Sequence, residues 1–247
     1  MILLFYKETN SMTKINFTWQ FWISTILWIL LSVLSISHLW YLENYDGHTF
    51  TINIIRSTKS LILPVLLSIF IINRFKKWKR EYWLIIFALL FAFIGDVLLI
   101  EWTQSDALFL GGLAAFLIGH IFSIIYIFKN SNFKKNKYKW IVTLPFIFVP
   151  FVIWQISTLD SVLIAIAIFF YSLMLCTLLG LSLTLIFTKE SIVYTLAIIG
   201  SSLFVISDMI LGLKTFKHIQ FPATTVMWTY ICAQVFLTLF YLRSSKN

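Results

Sequence analysis

The sequence predicts an all-α integral membrane protein: a single bundle of about eight transmembrane helices, divisible into two parallel four-helix halves. Two observations set the class. Of the 247 residues, 60% are hydrophobic and only 12% charged, with a mean hydropathy of +0.91, whereas roughly a quarter of a soluble globular chain is charged. The apolar residues also gather into runs, bounded by charged or turn residues, close to the ~20 residues that a bilayer span needs. The 18% aromatic content, led by 25 Phe, suits lipid-facing helices and interfacial anchors.

The runs place helices at about Trp19 to Ser37, Thr58 to Ile72, Tyr82 to Ile100, Ala107 to Phe128, Trp140 to Ile156, Ser161 to Phe187, Ile192 to Leu213 and Ala223 to Leu242. The second is short for a span. The first could be the core of a signal peptide, but no small-x-small cleavage site follows in "SVLSISHLWY", so it is read as a permanent helix. Met12 is a plausible alternative start. This divides the chain into a cytoplasmic segment 1–18, a transmembrane domain 19–242 and a cytoplasmic tail 243–247, with no extramembrane stretch long enough for a second domain. Cys176 and Cys232 both lie in apolar runs and imply neither a disulfide framework nor a thiolate site.

Orientation follows from the basic residues. With both termini cytoplasmic, fifteen of the 19 Lys and Arg fall inside, chiefly in "NRFKKWKRE" and "KNSNFKKNKYKW", leaving Arg56, Lys59, Lys214 and Lys217 at or near the outer side. The net charge of +9 is therefore topological, and no nucleic-acid partner is expected. A multi-pass protein of a bacterial inner membrane is the expected setting.

Two carboxylates interrupt this pattern, Asp96 in "FAFIGDVLLI" and Asp208 in "SSLFVISDMILG". Each falls about four or five residues before the outer end of an outward-running helix, so at 1.5 Å per residue both lie roughly 6 to 8 Å below the outer boundary. His120 follows Asp96 by 24 positions and Gln234 follows Asp208 by 26, which points to two related halves. Charged groups within a bilayer face the bundle interior, paired or hydrated, because exposing them to lipid costs at least a few kcal/mol. Lys59, Asp96, His120 and Asp208 are thus the candidate interior groups, with Tyr171, Tyr230 and Gln234 as polar company.

No serine-hydrolase elbow, zinc-protease motif or phosphate-binding glycine loop occurs. Only His120 of the four histidines lies in a helix core, so neither a metal nor a cofactor is expected. A pair of buried carboxylates suits acid chemistry, one donating a proton while the other stabilises a developing cation or orients water. Acetals, glycosides and vinyl ethers need that combination.

"RSTKSLILPVLL", "IGDVLLI", "FLGGLAAFLIGHIFSIIYIF", "SDMILGLKTF" and "WTYICAQVFLTLF", in this order, resemble the YhhN family of membrane lysoplasmalogenases, although Ser60 stands where a proline is more usual. The resemblance covers most of the chain from about Arg56 onward. It implies hydrolysis of the 1-alkenyl ether bond of a lysoplasmalogen to a fatty aldehyde and glycerophosphocholine or glycerophosphoethanolamine. It also implies that Asp96 and Asp208 are the catalytic pair, with Lys59, His120, Tyr230 and Gln234 around the substrate. Tyr171 joins the substrate-binding set from its place in the sixth helix. Lys59, Lys214 and Lys217 are candidates to attract the headgroup phosphate. The expected partners are a lysophospholipid substrate and membrane lipid.

The competing reading is a proton-coupled transporter of a small or lipid-like solute, to which paired intramembrane carboxylates are also suited. Pro64, Pro145, Pro150 and Pro222 do not fall at matching positions of the two halves, as broken transport helices would require. A helix-gluing scaffold is the third reading.

Overall fold

The computed structural model describes residues 19–44, 49–74, 78–100, 105–130, 139–157, 159–185 and 191–244. Within them lie eight α-helices, one 3-10 helix and no strand: α1 Trp19–Asn44, α2 Thr49–Arg74, α3 Tyr82–Ile100, α4 Asp106–Asn130, α5 Val149–Ile156, α6 Val162–Thr184, α7 Ser191–Phe216 and α8 Ala223–Ser244. The 3-10 helix, Lys139–Phe148, leads directly into α5.

Each of the eight apolar runs forms helix, but four differ from the sequence-based bounds. The first two helices lengthen toward each other, so that α1 runs to Asn44 and α2 begins at Thr49. The fifth run is not one α-helix. Pro145 lies within the 3-10 stretch and Pro150 in the first turn of α5; each lacks a backbone N–H, so a continuous 13-atom ladder cannot run through them. The seventh helix continues past Leu213 to Phe216 with Lys214 in its last turn, where a long cationic side chain favours the helix C-terminus and can extend toward water. Asp208 therefore lies a little over two turns before the end of α7, deeper than the four or five residues expected.

Among the described residues, six helical stretches are long and apolar enough to cross a membrane: Tyr82–Ile100, Asp106–Lys129, Lys139–Ile156, Val162–Thr184, Val193–Phe216 and Thr224–Ser244. In α1 the apolar stretch Thr25–Tyr41 is shorter, and α2 contains Arg56, Lys59 and Pro64. Large apolar side chains such as Ile147, Leu163, Val162 and Trp140 point outward, the arrangement a lipid solvent favours and water opposes.

Neighbouring helices pair as hairpins, α1 with α2, α3 with α4, the 3-10/α5 segment with α6, and α7 with α8. Contacts of α2 with α3, α4 with α6, α6 with α7, and α8 with both α1 and α2 join the hairpins around one core. Ile62, Phe70, Ile85, Leu178, Ala197, Ala233 and Phe240 are almost wholly buried there. The α3–α4 contact depends on Gly119, where a Cβ would stand 3.0 Å from the Ala88 carbonyl oxygen. That close approach sets the next residue, His120, against the interior.

Candidate functional site

Asp96 is 2% exposed on the inner face of α3. Tyr230 of α8 donates a hydrogen bond to its Oδ2 at 2.6 Å, and the Lys59 ammonium of α2 stands 3.7 Å from its Oδ1. Lys59 keeps 29% of its side chain exposed; its stem crosses apolar surface while its head reaches the carboxylate. Three helices thus hold one carboxylate, and charge-assisted bonds of this kind are worth about 1.5–3 kcal/mol each.

Asp208 of α7 is held differently. Tyr171 of α6 donates to its Oδ2 at 2.5 Å, and the His120 Nε2 of α4 lies 3.4 Å from the same tyrosine oxygen. No ammonium or guanidinium among the described residues comes within ion-pair distance of Asp208. Asp208 is half-buried as a residue, whereas Asp96 is buried. Asp96 and Asp208 are close enough to interact electrostatically, and Lys59 acts on both.

All seven residues singled out in the sequence therefore meet in one interior cluster. Asp96, Lys59 and Tyr230 form one arm, extended by Gln234, whose side chain interacts with the Tyr230 hydroxyl. Asp208, Tyr171 and His120 form the other.

Aromatic rings fill the space between the arms. Phe204 meets the His120 ring edge to face at 4.8 Å and Tyr230 at 5.7 Å, while Phe116 stacks with His120 at 6.5 Å and meets Tyr230 at right angles at 6.4 Å. These two phenylalanines escaped the sequence reading because buried Phe at helical spacing looks like ordinary core; the i, i+4 pairing of Phe116 with His120 is the one signal that could have found it. Gly95, beside Asp96, is part of the same device. A Cβ there would come within 2.5 Å of the Phe116 ring, so only glycine lets that ring pack next to the carboxylate. Ser207, beside Asp208, donates from Oγ to the Val226 carbonyl at 3.1 Å and fixes α7 on α8.

The Lys217 ammonium lies 4.8 Å above the Trp154 ring and 3.3 Å from the Ser157 hydroxyl, tying α7 to the end of α5. Among the described residues no three His, Cys, Asp or Glu side chains gather in a way that could hold an ion. Cys176 and Cys232 are free thiols, the former donating to the Pro145 carbonyl at 3.3 Å.

The YhhN family model matches residues 55–240. The chain is a member of the YhhN family. The match begins within α2 and runs into α8, so it takes in all seven site residues and leaves α1 outside. No curated protein and no solved structure matches this YhhN chain.

Proposed function

We propose that this YhhN protein is a membrane hydrolase that cleaves the 1-alkenyl ether bond of lysoplasmalogens, releasing a fatty aldehyde and a glycerophosphocholine or glycerophosphoethanolamine. The observation that carries the reading is the unequal holding of two neighbouring carboxylates: Asp96 is paired with an ammonium, whereas Asp208 is paired with a tyrosine and no cation among the described residues. Such a pair divides into a carboxylate and a carboxylic acid.

In this mechanism Asp208 carries the proton. It protonates the alkenyl carbon distal to the ether oxygen, the C=C π pair forms the new C–H bond, and positive charge develops on the carbon attached to oxygen. The Asp96 carboxylate stabilises that oxocarbenium ion, and the neighbouring Phe116 and Phe204 faces add to the stabilisation of a cation. Water adds to the same carbon and passes a proton to a carboxylate. The hemiacetal C–O bond to glycerol then breaks: a carboxylic acid gives the leaving oxygen its proton, the hemiacetal hydroxyl gives up its own to a carboxylate as the C=O forms, and the aldehyde is released. Tyr171 and Tyr230 hold the two acids in place, His120 orients Tyr171, and Lys59 keeps Asp96 ionised.

The chain adopts its site as an eight-span protein in this reading, with α1 and α2 crossing beside the six more apolar stretches and both termini on the cytoplasmic side of a bacterial inner membrane. The test is hydrolysis in deuterium oxide. The aldehyde should carry one deuterium at its α-carbon. Aldehyde lacking that deuterium would mean that the double bond is not protonated by the enzyme, and the mechanism would fail.

A further inference from the structure

A second polar cluster lies at the end of the bundle away from the carboxylates, where α2 finishes, α3 begins and α4 and α8 end. Arg74, the last residue of α2, is only 8% exposed. Its guanidinium lies 5.8 Å from the Tyr82 ring centroid, close to Tyr126, and its buried Nε has no hydrogen-bond partner. No carboxylate among the described residues comes within ion-pair distance of it. Glu81, the acid placed nearest to this end, acts on Tyr126 instead.

A buried guanidinium N–H that lacks an acceptor is destabilising. The C-terminus of α2 and the Tyr82 face offset part of this, but no oxygen atom among the described residues bonds the Arg74 Nε. The tyrosine hydroxyls nearby are already engaged, Tyr126 with Ser244 at 3.0 Å and Tyr241 with Ser123 at 2.8 Å. The described residues thus leave the Arg74 Nε open to an acceptor from outside them. Trp78, Tyr82 and Trp83 cluster at this level, ring edge to ring face, with both tryptophans exposed, the mark of a membrane–water interface where lipid phosphates lie. Lys79, Arg80 and Lys129 are exposed around it and draw anions to the same surface.

We propose that Arg74 is the centre of a phosphate-binding site, distinct from the carboxylate site, which takes the phosphate of an anionic phospholipid or a free phosphate. The planar guanidinium bonds two phosphate oxygens side by side, and ligand binding ties the ends of α2, α4 and α8 together. The site is independent of the hydrolytic reading.

The test titrates the purified protein in a neutral detergent with phosphatidylglycerol, phosphatidylcholine or inorganic phosphate and follows Tm, with native mass spectrometry counting retained lipid. Phosphatidylglycerol should raise Tm by several degrees and phosphatidylcholine by much less. An equal rise with inorganic phosphate would assign the site to the free anion, and its absence would assign it to the lipid. Arg74→Gln should abolish the response. Arg74→Lys, which keeps the charge but loses the planar fork, should at least halve it and serves if Arg74→Gln does not fold. Lys79→Gln/Arg80→Gln, at exposed positions, should retain most of it. No response from wild type to any probe would overturn the proposal. So would a response that survives in the Arg74 variants and disappears in the Lys79/Arg80 variant, since that is diffuse surface attraction.

Discussion

The Tyr171 hydroxyl and the Asp208 carboxylate stand 2.5 Å apart, joining α6 to α7, and His120 of α4 approaches the same hydroxyl at 3.4 Å. One tyrosine thus links the Asp208 carboxylate to the histidine of a third helix. Removing the hydroxyl in Tyr171→Phe leaves a carboxyl without its donor, which should lower stability by about 1–3 kcal/mol and turnover by about 10- to 100-fold. Turnover and Tm measured together check both; unchanged turnover would remove Tyr171 from the site.

Lys59 and Asp96 should behave as a charge pair. Lys59→Met takes the ammonium from a carboxylate that is 2% exposed, so both folding and activity should fall. Lys59→Arg keeps the charge and should recover much of the stability, yet less of the activity, because its fork geometry differs. Denaturation curves beside kinetic assays separate these effects.

Gly95→Ala should be damaging out of proportion to one methyl group. The new Cβ would sit 2.5 Å from the Phe116 ring, and forcing it in should cost about 1–3 kcal/mol. Phe116→Leu in the same chain should restore part of the lost stability, a non-additive result that a double-mutant cycle detects. Simple additivity would show that the two residues do not oppose each other.

Lys217→Ala should reduce stability slightly and leave turnover within about threefold, because Lys217 spends its charge on Trp154 and Ser157; exposed contacts of this kind contribute only about 1 kcal/mol or less. A large rise in KM for lysophospholipid would instead return Lys217 to the headgroup.

Much of this fold was legible in the sequence because lipid imposes a simple rule: apolar runs must form helices, and polar atoms within them must turn inward. That rule located eight helical runs and the site residues Lys59, Asp96, His120, Tyr171, Asp208, Tyr230 and Gln234. The 3-10 stretch at Lys139–Phe148 was less legible, although Pro145 and Pro150 cause it, because hydropathy does not distinguish a tightened helix from an α-helix. The partners of the two acids were not legible either. Tyr230 reaches Asp96 across 134 positions and Tyr171 reaches Asp208 across 37, pairings that depend on how the helices pack. Phe116, Phe204 and Arg74 stayed hidden for a related reason, since their burial and neighbours exist only once several helices meet.

The most direct measurement is aldehyde release from a synthetic lysoplasmalogen by purified protein, comparing wild type with Asp96→Asn and Asp208→Asn after each is shown to be folded. Wild type should release aldehyde, and each variant should lose at least about 100-fold in turnover, as expected when a general acid or an electrostatic stabiliser is removed. Full turnover in a folded Asp96→Asn/Asp208→Asn double variant would contradict the assignment of the two carboxylates as the catalytic pair.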